Sequence, residues 1–235
     1  MFFTMTTKKP GASGTPPVAT VIGDIVGSRG FGDRRDLHAR LAGRLDELND
    51  LLRADERERG GELATAPLWI TAGDEYQGTF PTVGAALRAT RWLRLALLPE
   101  VDVRQGLGWG PVEVLDSEPR IEDGPGWWAA RAAVVAVAED ASRAGHRRRR
   151  TAYRVAEGYD GPDPAAVNAA LVLRDEMVGG LSDRSLGVLR GLLSGRTQRE
   201  IAEKEDVSPS AVSQRVRHDG LAALVASERL LGEIR

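Results

Sequence analysis

Strand-like and helix-like segments alternate along this chain as far as residue 155, and from residue 163 onward the strand-like segments disappear. That uneven distribution points to a layered α+β unit followed by an all-helical one, because a sheet or helix must bury its apolar face against a neighbouring layer. Residues 18–26 predict a buried strand, apolar and rich in β-branched side chains after Pro16-Pro17. Asp33 then caps a long helix in which Leu37, Leu41, Leu45, Leu48 and Leu52 fall on one stripe. Residues 63–71 and 75–80 predict a tight antiparallel hairpin around Ala72-Gly73-Asp74. Residues 82–98 predict a second helix stopped by Pro99, residues 101–107 and 111–115 a further strand pair, residues 124–143 an alanine-rich third helix, and residues 151–155 a last strand. Hairpins inserted between helices predict a largely antiparallel or mixed sheet, hence an α+β sandwich of the ferredoxin-like kind rather than a doubly wound sheet.

At roughly 150 residues per domain, 235 residues allow one full domain and a small second one. The divisions read from the sequence are a disordered tail over residues 1–17, a sandwich over residues 18–160, a linker helix over residues 161–180 broken at Gly179-Gly180, and a helical domain over residues 181–235. The absence of cysteine excludes disulfides, thiolate metal sites and a cysteine nucleophile, and it fits a reducing cytoplasm. No apolar run approaches the roughly 18 to 20 residues of a membrane span, so no membrane association is expected. The net charge of -2 means that any nucleic-acid contact must come from a local patch.

The stretch from Gln198 to Arg217 reads as two helices joined by a short turn, with Ile201, Val207, Val212 and Val216 facing inward and small Ala202 at the crossing. Ser208 caps the second helix, Pro209 fits its first turn, and Asp206 tolerates a left-handed backbone. Together with a preceding helix over residues 182–194, about fifty residues resemble the helix-turn-helix of LuxR-type and sigma-factor region-four domains, although Asp206 stands where that pattern usually has glycine. The resemblance implies double-stranded DNA as a partner, with Ser208, Ser210, Ser213, Gln214, Arg215 and Arg217 on bases or phosphates. A helical bundle used for dimerisation is the alternative.

Two carboxylates interrupt apolar strands: Asp24 in Val21-Ile-Gly-Asp-Ile-Val-Gly-Ser28, and Asp74 in Thr71-Ala-Gly-Asp-Glu-Tyr-Gln-Gly78. A charge there is costly to desolvate unless it is paired or bound to a cation, so two acids at neighbouring strand ends suit a Mg2+ that keeps waters and substrate phosphates. Gly27, Ser28 and Gly30 would let backbone N–H groups approach a triphosphate, with Arg29 beside it. Glu75, if in one strand with Asp74, points to the opposite sheet face. Solvated strand-end acids are the competing reading.

These two motifs resemble class III nucleotidyl cyclases, and Ala-Gly-Asp-Glu-Tyr is similar to the GGDEF signature of diguanylate cyclases. The resemblance implies Asp24 and Asp74 as metal ligands, the Ile25 carbonyl as a third, Arg131 as a transition-state arginine, and a purine nucleotide with Mg2+ as ligand. The cyclase pattern has a base-selecting lysine at the position of Ile70 and an asparagine at that of Trp127, so the resemblance implies binding with catalysis lost. Gly23-Asp-Ile-Val-Gly-Ser-Arg29, Gly73-Asp-Glu-Tyr-Gln-Gly78 and the C-terminal motif together resemble the SatD family of bacterial proteins. The expectation is a DNA-binding transcriptional regulator, homodimeric, whose cyclase-like domain is a sensor or dimerisation module. The alternative is a working nucleotidyl cyclase or related metal-dependent phosphoryl-transfer enzyme.

Elsewhere, the basic run from His146 to Arg150 reads as a solvated face, Trp127 and Trp128 as core and rim, and His38 and His218 as isolated.

Overall fold

A computed structural model describes residues 15–61, 65–117 and 120–235. Residues 1–14, most of the expected tail, and Leu63, the expected start of the second strand, lie outside them. Strand β1 (Val18–Ile25) leads through a single 3-10 turn to helix α1 (Arg34–Arg59). Strands β2 (Ala66–Ala72) and β3 (Glu75–Phe80) form a hairpin, and helix α2 (Val83–Leu97) and strand β4 (Val103–Gly110) follow. These six elements run strand, helix, strand, strand, helix, strand. The sheet order is β2-β3-β1-β4-β7, where β7 is Thr151–Val155. β1 is antiparallel to both neighbours, while β4 and β7 are parallel, so the sheet is mixed.

Local chemistry explains the helix starts. Asp33 accepts from the N–H groups of Arg35 and Asp36, and Thr82 from that of Ala85. Leu37, Leu41, Leu45 and Leu48 are buried and Leu52 partly so, which seats α1 on the main core with α2. Along β4 the side chains alternate. Val103 and Leu107 enter that core, and Gln105 donates to the Thr90 carbonyl of α2. Gly106, Gly108 and Gly110 face the other way, against helix α3 (Pro125–Ala141). A methyl group on Gly108 would meet the backbone of Gly126 and Ala130, so these glycines let α3 lie close to the sheet.

This stripe corrects the expected strand pair. Glycine reads as a break, yet β4 continues to Gly110, and residues 101–107 do not pair with residues 111–115. Strand β5 (Glu113–Ser117) instead pairs with β6 (Arg120–Asp123), a strand with no signal of its own, in a separate two-stranded ribbon.

Helix α4 (Pro164–Gly179), capped by Asp163, occupies the expected linker and packs against β7, burying Val167, Leu171 and Val178. Helices α5 (Asp183–Leu193), α6 (Gln198–Lys204), α7 (Pro209–His218) and α8 (Leu221–Leu231) complete the chain. Leu186, Leu189, Ile201, Val212, Leu221 and Leu224 share one cluster that also includes Leu95 of α2, and Leu231 joins the main core. The basic run is not simply a solvated face. Arg148 pairs with Glu176, Arg149 with Asp140 and Arg150 with Asp102, because the turn into β7 lies against acids from three other segments.

Candidate functional site

At the C-terminal end of β1, alternation sends Thr20, Ile22 and Asp24 to the α3 side of the sheet and Ala19, Val21 and Ile25 to the main core. Asp24 lies opposite Arg104 in the β1–β4 register, and Arg104 Nε donates to Asp24 Oδ1 at 2.6 Å. Asp74 sits in the β2–β3 turn, where Gly73 takes a left-handed φ of +64° that a side chain would strain. Asp74 Oδ2 accepts the N–H of Ile25 at 3.3 Å, tying this turn to the end of β1. His38 of α1 braces the same turn, its Nδ1 donating to the Gly73 carbonyl at 3.1 Å.

The two acids therefore line one cleft of about 590 Å³, with Ile25, Gly27, Ser28, Arg29 and Arg104. Gly27 has a φ of +71° and opens the 3-10 turn over residues 28–30, which places Ser28 and Arg29 at the rim. Burial raises the pKa of Asp24, partly opposed by its hydrogen bond and charge interaction with Arg104, while nearby Asp74 and Glu75 raise it further. A group in that state gains from any additional cation.

The expectation for Glu75 supposes that it shares a strand with Asp74, which it does not. Asp74 is in the turn and not in the strand, so Glu75 is the first residue of β3 and reaches α3. There Arg131 donates Nη1 to Glu75 Oε2 at 2.6 Å and Nη2 to Oε1 at 2.7 Å. This hydrogen-bonded pairing holds the Glu75 carboxyl below its ordinary range and the Arg131 guanidinium above its own. Arg131 is thus near the cleft but bound to a carboxylate. Ile70 packs against the main core, Trp127 is buried beside Ile22 and Ala130, and Trp128 is exposed with its indole N–H on Asp123.

Among the described residues no group of three or more His, Cys, Asp or Glu is arranged to hold a metal. Two carboxylates and a backbone carbonyl fit Mg2+ only in the form that takes further ligands from water and phosphate. Arg104, with no local signal in the sequence, is the residue that reading missed; its role appears only once β1 and β4 are paired.

The other candidate residues lie at the opposite end of the chain. Ser208 caps α7 by accepting from the Ala211 N–H, and Asp206 takes a φ of +51° in the preceding turn. Ser208, Ser210, Gln214 and Arg217 are exposed, Ser213 and Arg215 half-buried. The structure does not bring these residues to the carboxylate cleft, none of them lining it.

The sequence profile of the SatD family matches residues 18–230. The chain belongs to the SatD family. No curated protein matches this SatD family member. Its fold is similar to that of a bacterial light-regulated adenylyl cyclase, at 14% identity over 51% of this chain and 39% of that one, with a TM-score of 0.38. The chain thus spans well under half of that cyclase. It is also similar to the guanylyl cyclase domain of the RhoGC fusion protein of the aquatic fungus Blastocladiella emersonii, at 20% identity over 52% and 74% of the two chains with a TM-score of 0.34. A third likeness is to the adenylyl cyclase CyaB of P. aeruginosa, at 13% identity over 49% and 69% with a TM-score of 0.34.

Proposed function

We propose that the cleft between β1 and the β2–β3 turn binds a purine nucleoside triphosphate together with Mg2+, as a nucleotidyl-cyclase-like or related phosphoryl-transfer centre. The observation that carries this reading is the hydrogen bond from the Ile25 N–H to Asp74 Oδ2, which gathers an acid of β1 and an acid of the β2–β3 turn at one cleft. Asp24, Asp74 and the Ile25 carbonyl would hold the ion, and the turn at Gly27, Ser28 and Arg29 would receive the phosphates. Mg2+ bound there neutralises phosphate charge and orients the triphosphate. Arg104 must yield Asp24 Oδ1 to the ion, and Arg131 must leave Glu75 before it can meet a phosphate. Both guanidiniums are held by carboxylates until a ligand competes for them. Incubation with Mg2+ or Mn2+ and each nucleoside triphosphate, followed by chromatography, tests the reading. A product abolished by Asp74→Ala is expected; neither binding nor turnover of any triphosphate would overturn it.

The exposed face of α7 favours an additional role for the C-terminal helices. Ser210, Gln214 and Arg217 fall at positions i, i+4 and i+7, with Pro209 and the Ser208 cap at the start of the helix and the left-handed Asp206 before it. A helix-turn-helix presents such a face to the major groove of double-stranded DNA, and we propose that the chain is in addition a transcriptional regulator, acting as a homodimer. Arg217→Ala should weaken retention of the protein's own promoter fragment at low salt; a chain that shifts no genomic fragment there would remove the regulator reading.

A further inference from the structure

A second cleft, of about 450 Å³, opens where α5 and α6 meet α1 and α2, and none of the residues lining it belongs to the carboxylate cleft. Its charged lining consists of five cations (Arg44, Arg91, Arg190, Arg196 and Lys204) and three acids (Glu47, Glu100 and Glu205), a surplus of two positive charges in a chain whose net charge is -2. Arg44 is paired with Glu47 at 2.6 Å. Arg190 donates to the carbonyls of Leu95 and Leu98 at the end of α2, neutral acceptors that leave its charge uncancelled. Arg91 forms the back wall. Its side chain is only 17% exposed, its nearest carboxylate is Glu228 at 3.7 Å, and Arg174 shares that same carboxylate at the same distance. Arg196 and Lys204 are exposed at the mouth, where Arg196 also acts electrostatically on Glu200. Trp92, half-buried, supplies a flat wall beside Leu95, Leu98 and Pro99.

We infer that this cleft is a binding site for a small phosphate-bearing molecule with a planar ring, about the size of a nucleoside monophosphate. The volume lies within the roughly 300 to 1,000 Å³ of small-molecule pockets. A phosphate monoester carries about -1.5 to -2 charges at neutral pH, which matches the surplus of two positive charges. Arg91, Arg196 and Lys204 meet the phosphate, and the ring lies against Trp92. Buried guanidinium charge without a stoichiometric counter-ion is costly, so the anion relieves a cost already present in the fold. Because α2 forms one wall and α5 and α6 the other, the occupied cleft fastens the C-terminal helices to the sandwich.

The site requires no divalent ion, and this separates it from the carboxylate cleft. The full chain is titrated in EDTA with pyrophosphate and with adenosine 5′-monophosphate while amide and indole N–H resonances are followed. Both should shift Arg196, Lys204 and the Trp92 indole, with the monophosphate binding more tightly. Arg196→Gln combined with Lys204→Gln should weaken binding by at least tenfold, about 1.4 kcal/mol. Both side chains are solvent-exposed, so the folded spectrum is retained. Asp74→Asn should leave this binding unchanged, whereas it abolishes the metal-dependent binding proposed for the other cleft. The inference is overturned if neither probe shifts these residues, if the double variant binds as tightly as the wild type, or if the shifts fall on residues 27–29 instead.

Discussion

Arg104 and Arg131 show how single residues set the state of the carboxylate cleft. Each guanidinium holds one acid, Arg104 on Asp24 at 2.6 Å and Arg131 on Glu75 at 2.6 and 2.7 Å, so two of the three acids lining the cleft are paired by the chain's own cations. Removing Arg104 should leave Asp24 half-buried without its counter-charge, raising its pKa further and increasing its demand for a divalent ion. Arg104→Met is therefore expected to tighten Mn2+ binding, read by titration calorimetry; weaker or unchanged binding would mean that Arg104 does not compete with the ion. The Glu75–Arg131 pair gives a pH prediction with a definite sign. The folded-state pKa of Glu75 lies below its ordinary 4.5, so the pair stabilises the fold above that value and the contribution is lost as pH falls through the lowered one. The Tm difference between wild type and Arg131→Gln should be present at neutral pH and shrink as acidification carries Glu75 below its ordinary 4.5 and through its lowered pKa. A difference that grows with acidification would contradict the assignment.

Among the elements, β4 separates what the sequence made legible from what it did not. The starts of α1, α2, α4, α5 and α7 could be read because capping side chains act on N–H groups two or three residues away, as Asp33, Thr82, Asp163, Ser182 and Ser208 do. Strands β3 and β7 could be read because runs of apolar and aromatic side chains alternate within them. β4 could be read only over residues 101–107, and its continuation to Gly110 could not, since Gly106, Gly108 and Gly110 form a flat track only when α3 lies upon it, a contact between residues more than fifteen positions apart. The carboxylate cleft divides in the same way. Asp24 and Asp74 stood out because each interrupts an apolar run, whereas Arg104 and the Glu75 link to Arg131 depend on strand pairing and helix docking. Gly108→Ala tests the track. The added methyl group meets the backbone of Gly126 and Ala130, which cannot move aside as a flexible side chain could, so urea unfolding should show a loss of about 1 to 3 kcal/mol. Gly145→Ala meets nothing within 4 Å and should stay within about 0.5 kcal/mol.

For the whole molecule, a buried ionic network ties the sandwich to the C-terminal helices. Asp175 of α4 is fully buried. It accepts from Arg94 at 2.9 Å and from the backbone N–H groups of Arg150 and Thr151 at 2.8 and 2.6 Å, while Arg94 and Arg150 also grip Asp102. Arg174 continues the network towards Glu228 of α8, whose pKa is raised by burial. The Asp102 carbonyl also accepts the Val26 N–H, one residue beyond the end of β1. The carboxylate cleft and the last helix are therefore joined through hydrogen-bonded and charged contacts, and the chain should unfold in one transition. Asp175→Asn, which leaves Arg94 without this buried counter-charge, is expected to cost on the order of 3 to 5 kcal/mol in urea unfolding; a loss below about 1 kcal/mol would show that the network carries little of the fold.

The central claim is that Asp24 and Asp74 act together on one metal-bound nucleotide. It is tested most directly by adding Mn2+ with a nucleoside triphosphate to the labelled full chain and locating the paramagnetic broadening of its amide resonances. Broadening centred on residues 25–29 and 74–75, and abolished by Asp74→Asn, is the result predicted here. Broadening that avoids those residues, or that survives the substitution unchanged, would contradict it.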